Sequence, residues 1–206
     1  MKKILFNDRY GLTAAVLSGR KTQTRRLCSL SLYNIKTDEA TQPSAIFLKD
    51  GAWMFSVNGK DYPLPKENHP KYKVGEEVAV AQSYNDFYND ACDPRLFPNG
   101  AGWSNKLFVK PELMPHRIRI TNVRAERLQS ISDDDCIKEG VYKDECTTYF
   151  NGYAFETVID QYGNVLAKQW YKSPREAYAA LIDRISGKGT WDSNPWVFVY
   201  DFELIK

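Results

Sequence analysis

The sequence predicts an α+β protein, and three observations carry that expectation. The segment "NPWVFVYDFELI" alternates, with Trp196, Phe198, Tyr200, Phe202 and Leu204 on one face and Val197, Val199, Asp201, Glu203 and Ile205 on the other, which is the period of a strand. "SPREAYAALIDRISGKG" reads as a helix: Ser173 caps it, Pro174 opens its first turn, Glu176 completes a capping box, and Ala177, Leu181, Ile182 and Ile185 fall on one side. Ten Phe, thirteen Tyr and five Trp favour half-buried pleated surfaces. With 206 residues, 43% of them apolar, the chain can bury one core of ordinary size. The reading is a single domain over 1–206 with insertions at about 31–70 and 85–112.

The elements follow in order. "KILF", residues 3–6, reads as a short strand, and "RYGLTAAVLSG" as a helix on which Leu12, Val16 and Leu17 fall near helical spacing. Gly19 suits a left-handed cap at its end. Residues 31–70 are polar and loop-like apart from "AIFLKDGAWMFSV", where Asp50-Gly51 between apolar runs signals a hairpin. A turn at Val74-Gly75 leads into a strand over Glu77 to Ser83. After the irregular stretch 85–112, "HRIRI" alternates Arg117 and Arg119 with Ile118 and Ile120, as on a strand with one wet face. Ser132 and Asp135 stand at capping-box spacing before a short helix that Gly140 is placed to end. Tyr162-Gly163-Asn164 reads as a turn between two strands.

Charge and composition narrow the function classes. Twenty-eight Lys and Arg against 26 Asp and Glu leave +2, so no global field marks a nucleic-acid partner and any attraction must be local. Cys28, Cys92, Cys136 and Cys146 are too scattered for a metal knuckle or redox pair and read as reduced cytoplasmic thiols. His69 and His116 sit in no ligand-like motif, so neither metal nor cofactor is expected. No segment approaches the roughly 18 apolar residues that cross a bilayer. Asp133, Asp134 and Asp135 read as acids at a helix start, where they favour the dipole.

Local attraction concentrates in "RKTQTRR", residues 20–26, which holds four cations, two threonines and no acid. One reading is a solvated helix exit, where cations favour the negative end of the helix dipole. The other is a ligand site: Thr22 and Thr24 carry hydroxyls that bind oxyanions, and four mutually repelling cations are relieved by an anionic or polar partner.

"GRKTQTRR" after a short helix, "VGEEVAV" before a strand, "ITNVRAERLQSISDDDCIKEG" and "WDSNPWVFVYDFELI" together resemble the ASCH-domain family of the PUA-like superfamily, in particular its longer phage and prophage members. The resemblance implies a small PUA-like β-barrel with flanking helices, carrying the loop and hairpin insertions noted above, and a cleft for RNA or a modified nucleoside. Some small members are amidohydrolases that remove an acyl group from the exocyclic nitrogen of a modified cytidine. Carried over, their catalytic residues fall on Lys21, Thr24 and Glu139. The longer relatives carry Arg-Glu and then Thr-Trp where this chain has Ala81, Gln82, Ser83 and Tyr84. A charged pair is therefore absent from the expected cleft wall, while Gln82 can still meet a base edge and Tyr84 can still stack on one.

The chemistry of the three residues bounds the reading. Lys21 and Thr24 are three apart, so they share a side only if the chain bends between them. As a base or nucleophile Lys21 must lose a proton that an ordinary lysine holds to a pKa of about 10.4, which burial and neighbouring cations promote and a nearby Glu139 opposes. Thr24 can orient water or donate to an oxyanion, and Glu139 can pass a proton to the leaving amine. Each has a plainer alternative: Lys21 as a phosphate contact, Thr24 as a turn former, Glu139 as an exposed helix residue. Arg20, Thr22, Arg25, Arg26, Gln82, Tyr84, Arg117, Arg119 and Trp196 complete the expected RNA or nucleoside-binding set. A non-catalytic RNA-binding module and a phage-associated interaction protein are the other two readings.

Overall fold

The computed structural model describes residues 1–28, 43–88, 100–147, 150–155 and 169–205. Its centre is a five-stranded sheet in the order β1-β6-β7-β10-β2, made of β1 (Lys2–Ile4), β2 (Gln23–Leu27), β6 (Glu77–Val80), β7 (Arg117–Arg127) and β10 (Trp196–Ile205). β1 runs parallel to β6; the other pairings are antiparallel. β10 is the most confined strand. Trp196, Phe198, Tyr200 and Phe202 on one face and Val197 and Val199 on the other are all buried, so the alternation of the sequence becomes a strand covered on both sides.

The barrel implied by the resemblance does not close. Among the described residues the ladder runs from β1 to β2 and stops, leaving both as edges. β1 is only three residues long, and past it a side chain takes over from the ladder: the Arg26 guanidinium on β2 donates to the Leu5 carbonyl at 2.5 Å. The fold is thus α+β with an open, mixed sheet.

Residues 43–63 form more than a loop with one hairpin. β3 (Ala45–Lys49), β4 (Ala52–Val57) and β5 (Lys60–Pro63) make a three-stranded meander. Its two turns are alike: Asp50 and Gly51 have φ of 50° and 78°, Asn58 and Gly59 50° and 74°. Both are Asx-Gly pairs in the left-handed region that two-residue hairpins demand, so the second turn carried the same signature as the predicted one. Ile46, Phe55 and Val57 join the main core, and Trp53 meets Phe198 edge-on at 5.1 Å.

The helices sit where capping chemistry puts them. α1 (Leu12–Leu17) ends before Gly19, whose φ is 75°. The strand expected over Glu77 to Ser83 stops at Val80, because Ser83 caps a short α2 (Tyr84–Phe87): the Ser83 amide donates to the Asp86 carboxylate at 2.6 Å. α3 (Asp133–Lys138) is capped by Ser132, which accepts from the Asp135 amide at 3.1 Å, and α4 (Pro174–Ser186) by Ser173, which accepts from the Glu176 amide at 3.1 Å. A hairpin of β8 (Tyr142–Thr147) and β9 (Phe150–Ala154) and a short α5 (Thr190–Ser193) complete the described strands and α-helices. The turn predicted at Tyr162-Gly163-Asn164, and Cys92, lie outside the described residues. Among those residues no helix is long and apolar enough to cross a membrane, and no group of three or more His, Cys, Asp and Glu could hold a metal ion.

Candidate active site

The site begins where α1 ends. Gly19 turns the chain, the Lys21 amide donates to the Ala15 carbonyl at 2.9 Å, and the Thr22 amide donates to the Lys138 carbonyl at 3.0 Å, tying this segment to the end of α3. The turn lies ahead of Lys21 and not between Lys21 and Thr24, yet the two residues reach the same space. Both line one cavity of about 400 Å³ against the free edge of β2.

Lys21 points inward and is only 2% exposed. Its ammonium donates to the Glu139 Oε2 at 2.6 Å and to the backbone carbonyl of the same residue at 2.7 Å, and lies 5.8 Å from the centre of the Phe6 ring. Glu139 is placed by the turn that ends α3. Gly140 has a φ of 105°, open to glycine and strained for other residues, and a side chain there would meet Leu12.

The other Glu139 oxygen accepts from Arg25 Nη1 at 3.1 Å. Arg25 is itself buried, and its planar fork is filled on every side. Nε and Nη2 donate to Glu126 at 3.0 and 2.6 Å, Nη2 to Asp135 at 3.1 Å, and Nη1 to Gln23 at 2.5 Å. The network runs on to the surface through Arg124, which donates to Asp135 at 2.9 Å and to Asp201 at 2.7 Å. Asp135 therefore serves the cations of the sheet as well as its own helix start.

Burial pushes the Lys21 ammonium below the ordinary lysine pKa, Glu139 works against that shift, and the charges of Arg26 and Arg25 add to it. Arg25 goes the opposite way: burial disfavours its charge, yet Glu139 and Glu126 hold it firmly protonated. Two neighbouring cations thus diverge: among the described residues Lys21 pairs with one carboxylate and Arg25 with three.

The rest of the cavity is mostly apolar. Phe6 and Leu12 form part of the wall, and Tyr178, Leu181, Ile182 and Ile185 bring one side of α4 to it. Burial, with Glu139 next, raises the Tyr178 phenol well above its ordinary pKa, so it stays a neutral hydroxyl. An apolar chamber with a few convergent polar groups suits a small molecule of nucleoside size.

Lys21, Thr24, Arg25, Arg26 and Glu139 are thus brought together, and the other expected residues are not. Arg20 is exposed, with its guanidinium 5.6 Å from the Tyr142 ring. Thr22 is half-buried and is held by backbone bonds to Lys138 and Phe202. Gln82 is buried with its Oε1 2.7 Å from His116 Nδ1, and Tyr84 packs on Phe87 and Trp103 in a satellite core; neither lines the cavity. The capping box at Ser83 turns this stretch away from the site. Arg119 is exposed and pairs with Glu77 and Glu203, and Arg117 is half-buried on the same strand; neither lines the cavity. Trp196 is core: its indole donates to the Pro43 carbonyl at 3.0 Å and Arg127 stacks over it at 4.7 Å.

The residues the sequence did not single out are Gln23, Glu126, Tyr178 and Asp201. Tyr178 lies three before Leu181, so its place on the inner face of α4 was readable from helical spacing. Nothing local marked Glu126 or Asp201, which meet the basic run only through strand pairing. No family model, curated protein or solved structure matches the chain.

Proposed function

We propose that this is an ASCH-domain protein of the PUA-like superfamily that binds a modified nucleoside beside Lys21 and hydrolyses the amide of an acylated cytidine. The observation that carries the reading is the buried Lys21–Glu139 contact of 2.6 Å opening, with Thr24, onto a chamber of about 400 Å³. Its chemistry fits amide hydrolysis. The Lys21 amine takes a proton from water as the water oxygen adds to the acyl carbon. The Thr24 hydroxyl donates to the carbonyl oxygen as negative charge gathers there. The carbon–nitrogen bond then breaks, the exocyclic nitrogen takes the proton back from Lys21 through Glu139, and a carboxylic acid and cytidine leave. Arg25 acts as a positioning residue, holding Glu139 by the oxygen that Lys21 does not use.

The mostly apolar wall favours a single nucleoside over a length of RNA. A groove that tracks a phosphate backbone needs uncompensated cations, and Arg119 is matched by acids on both sides.

The test is incubation with a panel of N4-acylated cytidines, following release of cytidine and free acid by chromatography. Turnover by the wild type that falls by roughly 10²–10⁴-fold in Lys21→Met supports the assignment. Unchanged turnover in that variant removes Lys21 from the mechanism. Nucleoside binding without turnover by the wild type makes the site a binder.

A further inference from the structure

The far side of Arg26 opens onto a second cavity, of about 240 Å³, that shares Leu5, Arg26 and Leu27 with the first. The Arg26 guanidinium, which donates to the Leu5 carbonyl, lines both. Its charge reaches both ways, to Lys21 on one side and to Tyr72 and Tyr200 on the other.

Two residues that line this second cavity carry a buried donor without an acceptor among the described residues. Asn68 lines it, is 5% exposed, and is held at the end of a short 3-10 helix by its amide bond to the Pro65 carbonyl at 2.9 Å. Its Nδ2 has no hydrogen-bond partner among the described residues, and neither does the buried Nε of Arg26. A buried donor left unpaired is costly, and native structures keep few of them. Lys71 stands at the exposed mouth, anchored by its amide to the Tyr200 hydroxyl at 2.9 Å, with its ammonium 5.6 Å from the Tyr72 ring. Glu67, also exposed, is the one acidic residue among the described residues that line it. Arg26, Asn68 and the exposed Lys71 all line this one cavity, and phosphate oxygens are acceptors that such donors can take.

We infer that the smaller cavity is a phosphate subsite of the same ligand, so that the substrate is a cytidine nucleotide and not the free nucleoside. This rests on the nucleoside reading of the larger chamber: the base and its acyl group lie beside Lys21, and the phosphate lies across Arg26 on Asn68 and Lys71.

The experiment compares inorganic phosphate, cytidine and cytidine 5′-monophosphate by calorimetry and thermal melting on wild type, Asn68→Asp and Lys71→Ala. In the wild type, phosphate alone raises the melting temperature and the monophosphate binds roughly tenfold or more tighter than cytidine. Asn68→Asp, which swaps a donor for a carboxylate of the same shape, removes both effects and leaves cytidine affinity unchanged. Lys71→Ala, at the surface and safe for folding, weakens the monophosphate alone. Equal affinity for cytidine and its monophosphate, with no response to phosphate, overturns the subsite while the nucleoside reading stands. Loss of cytidine affinity in Asn68→Asp equal to that of the monophosphate also overturns it. Phosphate binding without any cytidine binding overturns the proposal through its premise, since the larger chamber then holds no nucleoside.

Discussion

Lys21 and Glu139 lie 118 residues apart and make two hydrogen bonds to each other, one through the carboxylate and one through the backbone carbonyl. The carbonyl contact matters as much as the ion pair, because a backbone oxygen does not titrate. Lys21 therefore has one anchor at Glu139 that does not depend on the carboxylate.

The buried pair makes its members unequal in a mutational test. Glu139→Leu leaves the Lys21 ammonium in a dry site without its carboxylate and costs on the order of 3–5 kcal/mol. Lys21→Met costs less, because Glu139 keeps Arg25 at 3.1 Å. The double variant recovers much of the loss, and urea unfolding of all four proteins gives the coupling.

The proposed hydrolysis is expected to rise with pH as Lys21 loses its proton, with a midpoint below the ordinary lysine value of 10.5 because burial disfavours the ammonium. Lys21→Arg keeps a charge that no accessible pH removes, so its rate stays low and loses that rise. A kcat profile with the same rise in Lys21→Arg contradicts the role of Lys21 as base.

Stability declines in alkali. Burial pushes the Cys28 thiol from 9.0 to about 11, the Cys136 thiol from 9.0 to about 12, and the Tyr72 phenol from 10.0 to about 12. The folded state holds these protons after the unfolded chain has released them, so their contribution is whole below pH 9 and disappears as pH climbs toward 12. Lys21 has the opposite sign: its lowered pKa makes the unfolded chain the better proton binder, so stability gains with pH up to 10.5. Urea midpoints measured against pH fall above 9, less steeply in Cys136→Ala and more steeply in Lys21→Met.

Gly140→Ala tests how Glu139 is placed. At φ 105° an added methyl is strained, and it would sit 3.2 Å from Leu12 Cδ2. A loss of about 1–3 kcal/mol is expected. Turnover falls with it, because the same turn presents the carbonyl that accepts from Lys21. Full activity in this variant shows that the turn does not position the pair.

Arg25→Lys keeps the charge but not the fork. A lysine cannot span Glu126, Asp135 and Glu139 together, so it leaves at least one partly buried carboxylate without its cation. The variant is destabilised by roughly 1–3 kcal/mol, and the melting temperature measures it.

Much of this was legible in the sequence because it depends on near neighbours. Side-chain alternation sets which residues of β10 share a face, and capping residues three apart set where α3 and α4 begin. Asx-Gly pairs set the hairpin turns, and Gly19 sets the end of α1. That Lys21 follows a glycine turn was visible in the text, as was a glutamate beside the glycine that ends α3. The rest depended on contacts far along the chain. Charge pattern alone could not say that Arg25 is interior while Arg119 is solvated: the first meets acids 101, 110 and 114 residues away, and the second meets acids across an exposed strand face. Gln82 and Tyr84 are a different case: a local signal, the capping box of Ser83 and Asp86, follows a strand that ends at Val80, and neither residue lines the cavity. Short-range sterics and hydrogen bonds therefore determined the elements. Which polar groups lost water together, and so which cation gave up part of its hold on a proton, was decided only when sheet pairing brought distant segments into one dry place.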